Sequence, residues 1–223
     1  MKLPAIVVNF KIYEKGVSTE GIKTAKLLEK KAEDLGISLA IAVNAIDLRM
    51  FVEELEIPVF LQHMDSVGFG AKTGHICAEM VKESGAYGVL LNHSEKRMLL
   101  ADLSAAINRA KMNNLKTLVC ADTVESSKGV AALSPDYLAV EPPELIGGDI
   151  SVSKARPEVV SGTVEAVAKI SPDIPVLCGA GVKTGEDVKK AIELGAKGVL
   201  VASGVVKAKD PAKALEELAR GLL

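Results

Sequence analysis

Apolar positions along this 223-residue chain fall into short runs that alternate with segments of helical period. The runs are rich in β-branched residues and apolar throughout, which is typical of parallel strands buried on both faces. The intervening segments show the three- and four-residue spacing of amphipathic helices. We predict eight strands, at residues 5–9, 37–43, 57–61, 86–92, 116–121, 137–141, 174–178 and 197–202.

Two helical segments have clear boundaries. Residues 18–35 carry an apolar stripe on one face, and Gly36 is expected to end the helix. Thr184 and Asp187 have the spacing of a capping box, in which side chain and backbone satisfy each other at a helix start. They predict a helix over residues 185–194.

Two distant stretches share one pattern, and this repetition favours a closed barrel over an open sheet. Residues 83–90 and 193–200 each read as a helix end, a glycine stop and the start of a strand. They lead into the fourth and eighth predicted strands. Glycine and alanine also recur in such loops for general reasons. We predict one α/β domain over residues 1–223, a single (β/α)8 barrel.

Composition narrows the class of partner. The 27 basic and 29 acidic residues nearly balance, which argues against nucleic acid or an anionic membrane as a partner. No apolar run is long enough to span a bilayer, and the N-terminus lacks a signal peptide pattern. Three widely spaced cysteines indicate reduced core thiols. We therefore expect a cytoplasmic protein.

Three chemically active side chains lie at predicted strand ends. The carboxyl ends of barrel strands meet on one rim, where barrel enzymes carry their active sites. Lys11 follows the first strand, His93 the fourth, and Glu141 ends the sixth. Pro142-Pro143 stop that strand, and Gly147-Gly148 follow closely. A general base beneath a lid fits this arrangement, as does an ordinary strand end with a solvated carboxylate.

His93 is the strongest histidine candidate. Ser94 looks like the cap of a helix that begins directly after it, and the positive end of a helix disfavours imidazolium. A neutral imidazole there would donate a hydrogen bond to a carbonyl. His63 and His75 lie in residues 62–75, which we interpret as a structural or interface loop. Without ligand-like spacing among the histidines, we expect no metal site.

Two turns of small residues follow the seventh and eighth strands. Gly179-Ala180-Gly181 and Ala202-Ser203-Gly204 suit backbone amides that bind a phosphate near the end of a barrel. Tight packing of strand against helix would explain either turn alone. Neither a dinucleotide fingerprint nor a Walker motif is present, and we expect no cofactor.

Taken together, these motifs resemble the triosephosphate isomerase family. The resemblance covers the whole chain in order, and its His-Ser-Glu-Lys-Arg and Val-Glu-Pro segments are specific in combination. The chain is short, and it is similar to the archaeal form, which has shortened helices and tends to assemble as a tetramer. The motifs that carry the resemblance are Asn9-Phe10-Lys11, residues 70–80, residues 91–97 and residues 139–148.

The resemblance implies roles for individual residues. Glu141 would be the base that moves a proton between two carbons, and His93 the neutral electrophile. Lys11 would stabilise negative charge, with Glu95 pairing with it from behind. Residues 142–148 would close as a lid. The positions that match substrate-binding residues of the family are Asn9, Phe10, Lys11, Ile146, Gly147, Gly181, Ala202 and Ser203.

The same resemblance implies a phosphorylated triose as substrate and a homo-oligomer, with a tetramer favoured over a dimer. Some positions depart from the longer family members. Glu144 stands where they carry a bulky aromatic residue, and Ala202-Ser203 replace a glycine pair. Asn44 also stands where they lead into a proline-containing stretch. These departures leave lid packing and the phosphate donors open.

Two other functions remain compatible with parts of the pattern. Another phosphate-binding barrel enzyme, such as a sugar-phosphate isomerase or an aldolase, would use the same two turns. An aldolase requires a Schiff-base lysine within a strand, and the predicted strands carry lysine only at their ends. A non-catalytic metabolite-binding barrel would not need Lys11, His93 and Glu141 on one rim.

Overall fold

The computed structural model describes residues 1–145 and 151–222. Within these ranges, eight parallel strands close into a barrel in sequence order, and the last strand pairs with the first. Each predicted strand is confirmed with boundaries within two residues. The strands are β1 (Ala5–Asn9), β2 (Ser38–Val43), β3 (Val59–Leu61), β4 (Gly88–Leu91), β5 (Lys116–Ala121), β6 (Tyr137–Val140), β7 (Val176–Gly179) and β8 (Gly198–Val201).

Helices cover the outside of the barrel. The helix predicted over residues 18–35 is confirmed, and Gly36 ends it in a left-handed conformation (φ 66°). The capping box of Thr184 and Asp187 is also confirmed. The helices of the described residues are α1 (Ser18–Leu35), α2 (Leu48–Glu54), α3 (Ala78–Glu83), α4 (Leu100–Met112), α5 (Val124–Ala132), α6 (Val152–Ala155), α7 (Pro157–Ile170), α8 (Gly185–Glu193), α9 (Ser203–Val206) and α10 (Pro211–Ala219).

The predicted helix start at Ser94 is wrong. The chain makes only a single turn after His93, closed by the bond from the Lys96 N–H to the His93 carbonyl (2.8 Å), and α4 begins later. Asn92 explains the difference. It adopts a left-handed conformation (φ 57°), and its Oδ1 accepts the N–H of Met98 at 3.0 Å. This local side-chain bond stabilises an irregular loop in place of a helix.

The interior of the barrel determines which strand residues reach its rim. Alternate strand residues point inward, and the others pack against the helices. The same alternation makes Asn9 and Glu141 point inward, because each lies two residues after an inward-facing residue of its strand, Val7 and Ala139. The inward core consists of Val7, Ala40, Ala42, Phe60, Leu90, Leu118, Cys120, Tyr137, Ala139, Leu177 and Leu200.

The repeated pattern at residues 83–90 and 193–200 has a packing explanation. Gly88 and Gly198 begin β4 and β8, which lie on opposite sides of the closed barrel. A Cβ atom at Gly88 would overlap the Lys116 carbonyl, and one at Gly198 would overlap the Ala5 carbonyl. Glycine therefore permits close strand contact at both positions.

Two predictions from composition are also tested by the structure. All three cysteines are buried and free of disulfides, which confirms their interpretation as core thiols. Within the described ranges, the helices include none long and apolar enough to cross a membrane.

Candidate active site

Lys11 is held at the end of β1 by a network of backbone and amide contacts. Its backbone is left-handed (φ 48°), and its N–H donates to Oδ1 of Asn9 at 3.0 Å. The Nε2 group of Gln62, at the end of β3, lies 3.1 Å from the same Oδ1, 3.1 Å from the Lys11 carbonyl and 3.0 Å from the Ala42 carbonyl. Gln62 thus fixes Lys11 relative to two neighbouring strands, a role that sequence reasoning missed.

Glu95 connects the lysine to the histidine. Its Oε1 lies 2.8 Å from Nζ of Lys11, as the resemblance implied. Its backbone N–H donates to Nδ1 of His93 at 3.2 Å. An Nδ1 atom that accepts a hydrogen bond carries no proton, so we assign the neutral ring with its proton on Nε2.

The environment of His93 favours this neutral form. Burial lowers the pKa of the imidazole, and the nearby charge of Lys11 lowers it further, while Glu95 opposes the shift. Burial and the neighbouring positive charges, which also include Arg97, replace the helix dipole expected from the sequence. The Nε2 atom of His93 points toward Glu141 and lies 3.6 Å from its Oε2.

Glu141 is a buried carboxylate directly beyond β6. Its N–H continues the strand ladder by donating to the Ala121 carbonyl at 2.7 Å. Its side chain is 8% exposed, and its Oε2 finds no hydrogen-bond partner among residues 1–145 and 151–222. Burial raises the pKa of Glu141 to about 7, although a hydrogen bond from Cys120 and the charge of Lys11 oppose the shift. A carboxyl group in this state exchanges protons readily near neutral pH.

Gly179 provides the space that Glu141 occupies. A Cβ atom at this position would lie 2.7 Å from Oε1 of Glu141 and would overlap the rest of its side chain. The sequence suggested a phosphate turn that included Gly179. In the structure, Ala180 (φ 74°) and Gly181 (φ 71°) supply the left-handed turn, and Gly179 accommodates the carboxylate.

These residues surround one open cavity at the carboxyl ends of the strands. Asn9, Lys11, His93 and Glu141 form one side of it. The predicted phosphate residues Gly181, Ala202 and Ser203 line it as well. The lining also includes Gly204 from the predicted turn. Residues that the sequence did not single out complete it, among them Tyr13, Val182, Lys183 and Leu200.

Some predicted site residues are not brought into this cavity. The ring of Phe10 is fully buried and packs edge-on against Phe51, with ring centroids 5.8 Å apart. Its side chain therefore lies outside the lining. Ile146 and Gly147 lie outside the described residues, as do residues 146–148 of the predicted lid 142–148. Of that segment, the structure describes a short 3-10 turn at Pro143–Leu145.

The strand ends thus unite a neutral imidazole, a carboxylate of raised pKa and an ammonium group around one cavity. This arrangement defines a (β/α)8 barrel with an acid–base site on its carboxyl rim. The model of one family, described as triosephosphate isomerase, matches residues 4–219. The chain belongs to the triosephosphate isomerase family.

Individual relatives give the same assignment. The triosephosphate isomerase of Methanocaldococcus jannaschii is 56% identical over 213 residues, which cover 96% of this chain and 97% of that protein. The enzyme of Methanothermus fervidus is 53% identical over 218 residues, which cover 98% of each chain. The crystal structure of triosephosphate isomerase from Bartonella henselae superposes with a TM-score of 0.77 over 96% of this chain and 98% of that one. At 22% identity, this last similarity supports the fold alone.

Proposed function

We propose that this chain interconverts D-glyceraldehyde 3-phosphate and dihydroxyacetone phosphate, a step of glycolysis and gluconeogenesis. The observation that carries the proposal is the placement of Glu141 Oε2, buried, unpartnered among the described residues and 3.6 Å from His93 Nε2. Proton transfer next to a carbonyl requires a base with little competing water and a donor aimed at the carbonyl oxygen. Both groups face the same cavity.

Glu141 is the proposed base. It would remove a proton from one carbon and return it to the neighbouring carbon through an enediol or enediolate. A raised pKa of about 7 makes the carboxylate a stronger base than an ordinary glutamate and leaves a substantial ionised fraction at neutral pH. The unpartnered Oε2 atom is free of competing hydrogen bonds in the described part of the chain.

His93 is the proposed electrophile, and Lys11 the proposed cation. The Nε2–H of a neutral imidazole donates to the substrate oxygen as negative charge develops there. The side chain of Lys11 is only 9% exposed, and its Nζ would balance the charge of the enediolate and the phosphate. Glu95 orients both groups: its side chain accepts a hydrogen bond from Lys11 Nζ, and its backbone N–H donates to His93 Nδ1. A glutamate base and a neutral histidine are already established for triosephosphate isomerases.

The phosphate group would lie at the other end of the cavity, against the loops after β7 and β8. Gly181, Ala202 and Ser203 line this end, where backbone N–H groups are available near the start of α9. Asn9 would hold the substrate from β1. We retain Ile146 and Gly147 as proposed phosphate contacts from sequence, and we assign Phe10 a role only through its backbone, beside Lys11.

A coupled assay tests the proposed reaction. The purified chain is supplied with glyceraldehyde 3-phosphate, and formation of dihydroxyacetone phosphate is followed by its enzymatic reduction. We expect turnover with the phosphorylated triose and almost none with unphosphorylated glyceraldehyde, because phosphate binding supplies energy for catalysis. A chelator should leave the rate unchanged, since the proposed steps need no metal or cofactor. Turnover of a larger sugar phosphate alone would instead support another sugar-phosphate isomerase.

We further propose a cytoplasmic homo-oligomer, with a tetramer favoured over a dimer. The support is a set of large apolar side chains left exposed on a single chain, a pattern typical of subunit interfaces. Light scattering should give a mass near four times the 23.4 kDa chain, and a monomeric mass at micromolar concentration would contradict the proposal. The most exposed of these side chains are Ile46, Ile12, Met112, Phe69, Leu99 and Leu100.

A further inference from the structure

Asp187 makes more contacts than the start of a helix requires. It lies in the first turn of α8 and is only 3% exposed. Its Oδ2 accepts the N–H groups of Thr184 (2.9 Å) and Lys183 (3.0 Å). The capping box explains the bond to Thr184 alone. The bond to Lys183 extends the network into the loop that lines the cavity.

The other oxygen of Asp187 holds a different segment of the chain. Oδ1 accepts the hydroxyl of Ser151 at 2.9 Å and pairs with Nζ of Lys154 at 2.7 Å. Ser153, also buried, donates its hydroxyl to the Asp187 carbonyl at 3.1 Å. One aspartate thus joins α6 and the residue before it to the start of α8.

These contacts surround the turn at Ala180 and Gly181. The carbonyl of Ala180 accepts the N–H of Val152, the first residue of α6, at 3.1 Å. At the far end of the turn, the Lys183 N–H is held by Asp187. Ala180 occupies a left-handed conformation that residues with a Cβ rarely adopt, so its surroundings must stabilise it. Asp187 and α6 fix both ends of this turn.

We propose that Asp187 is a positioning residue that sets the Ala180–Gly181 turn for phosphate binding. This inference rests on the function proposed above. Asp187 itself lies outside the cavity lining and acts through the Lys183 amide and α6. Burial alone would raise the pKa of its carboxyl group, but hydrogen bonds from Lys154, Lys183, Ser151 and Thr184 outweigh burial and lower it to about 2. The network therefore keeps its charge throughout the physiological pH range.

The chain contains a matched control at the opposite end of the barrel. Asp136, just before β6, accepts a lysine ammonium (Lys116, 2.7 Å), a backbone N–H (Thr117, 3.0 Å) and a hydroxyl (Thr117, 3.1 Å). Its bonding resembles that of Asp187, but Asp136 lies at the amino-terminal ends of the strands, away from the cavity. Asp187→Asn and Asp136→Asn therefore separate a positioning effect from a general loss of stability.

The test compares KM and kcat for the triose phosphate, and the inhibition constant of inorganic phosphate, in both variants. We expect Asp187→Asn to raise KM and the phosphate constant by roughly tenfold, with a smaller change in kcat. Asp136→Asn should leave all three within about twofold of the unmodified protein. A lower melting temperature in Asp187→Asn without a change in either constant would overturn the proposal.

Two further measurements keep the test decisive. If Asp187→Asn does not fold, Lys154→Met removes one contact at a half-exposed side chain and should raise the same two constants to a smaller extent. Unchanged constants in Lys154→Met would then count against the network. Calorimetric titration with inorganic phosphate follows binding without turnover. If the unmodified protein fails the isomerase assay, this titration still tests the role of Asp187. Equal phosphate affinity in the unmodified protein and in Asp187→Asn would refute the positioning role.

Discussion

The backbone N–H of Glu95 donates to Nδ1 of His93 at 3.2 Å. A main-chain donor cannot lose its proton or rotate away, so it constrains the histidine more firmly than a side chain would. The bond requires an unprotonated Nδ1 and leaves the proton of the neutral ring on Nε2, the atom that faces Glu141.

His93 should therefore remain neutral, with its proton on Nε2, at the pH at which an ordinary imidazole would begin to take up a second proton. The lowered pKa has three causes: burial first, then the charges of Lys11 and Arg97. Nitrogen NMR near neutral pH should show an unprotonated Nδ1 and a protonated Nε2, and the folded protein should titrate at a lower pH than the unfolded chain. The unfolded chain supplies the control, with titration near the usual pKa of about 6.5. Protonation of both nitrogens above about pH 6.5 in the folded protein would contradict the assignment.

Glu141→Gln should remove the proposed base while preserving the shape of the site. We expect kcat to fall by roughly 10²–10⁴-fold, the usual contribution of a general base, with little change in KM. Steady-state kinetics in the coupled assay measures both constants. Near-normal turnover in the variant would exclude Glu141 as the base.

The same substitution should stabilise the fold at alkaline pH. Because the folded state raises the pKa of Glu141 from 4.5 to about 7, burying its charged form costs stability. The cost is absent below about pH 4.5, grows as pH rises, and is complete above about pH 7. Its upper limit is roughly 3 kcal/mol at 1.36 kcal/mol per pKa unit. Denaturant unfolding at about pH 5 and pH 8.5 should show the advantage of Glu141→Gln mainly at the higher pH. An equal difference at both values would show that ionisation is not its source.

Gly179→Ala should impair catalysis without touching a charged group. The added Cβ would overlap the side chain of Glu141 and displace its carboxylate, and a misplacement of about 1 Å costs on the order of 100-fold in rate. Gly129→Ala, in the interior of α5, is the control, since a Cβ there meets no heavy atom within 4 Å. That control should keep its activity and gain about 0.5–1 kcal/mol of stability. Equal activity in the two variants would show that Gly179 is not needed for this placement.

The sequence predicts the barrel well because its strands are unbroken apolar runs. In addition, the glycine pattern before β4 recurs before β8, half a barrel away. It also predicts Lys11, His93 and Glu141, since parallel strands bring their carboxyl ends together. The turn after His93 was mispredicted because one side chain, Asn92, overrides the local helix signal. The sequence assigns Gly179 to a phosphate turn and gives Gln62 no role, because their actual roles depend on contacts across strands, which no local pattern records.

The closed order of the strands divides the proposed chemistry between two halves of the chain. Lys11 and His93 follow β1 and β4, whereas Glu141 and the turn at Gly181 follow β6 and β7. A fragment ending after α4 would hold the electrophile without the base, and the complementary fragment would hold the base without the electrophile. Isomerisation by mixed fragments would then report directly on barrel closure. The full set of reacting groups comes together only when β4 pairs with β5 and β8 pairs with β1.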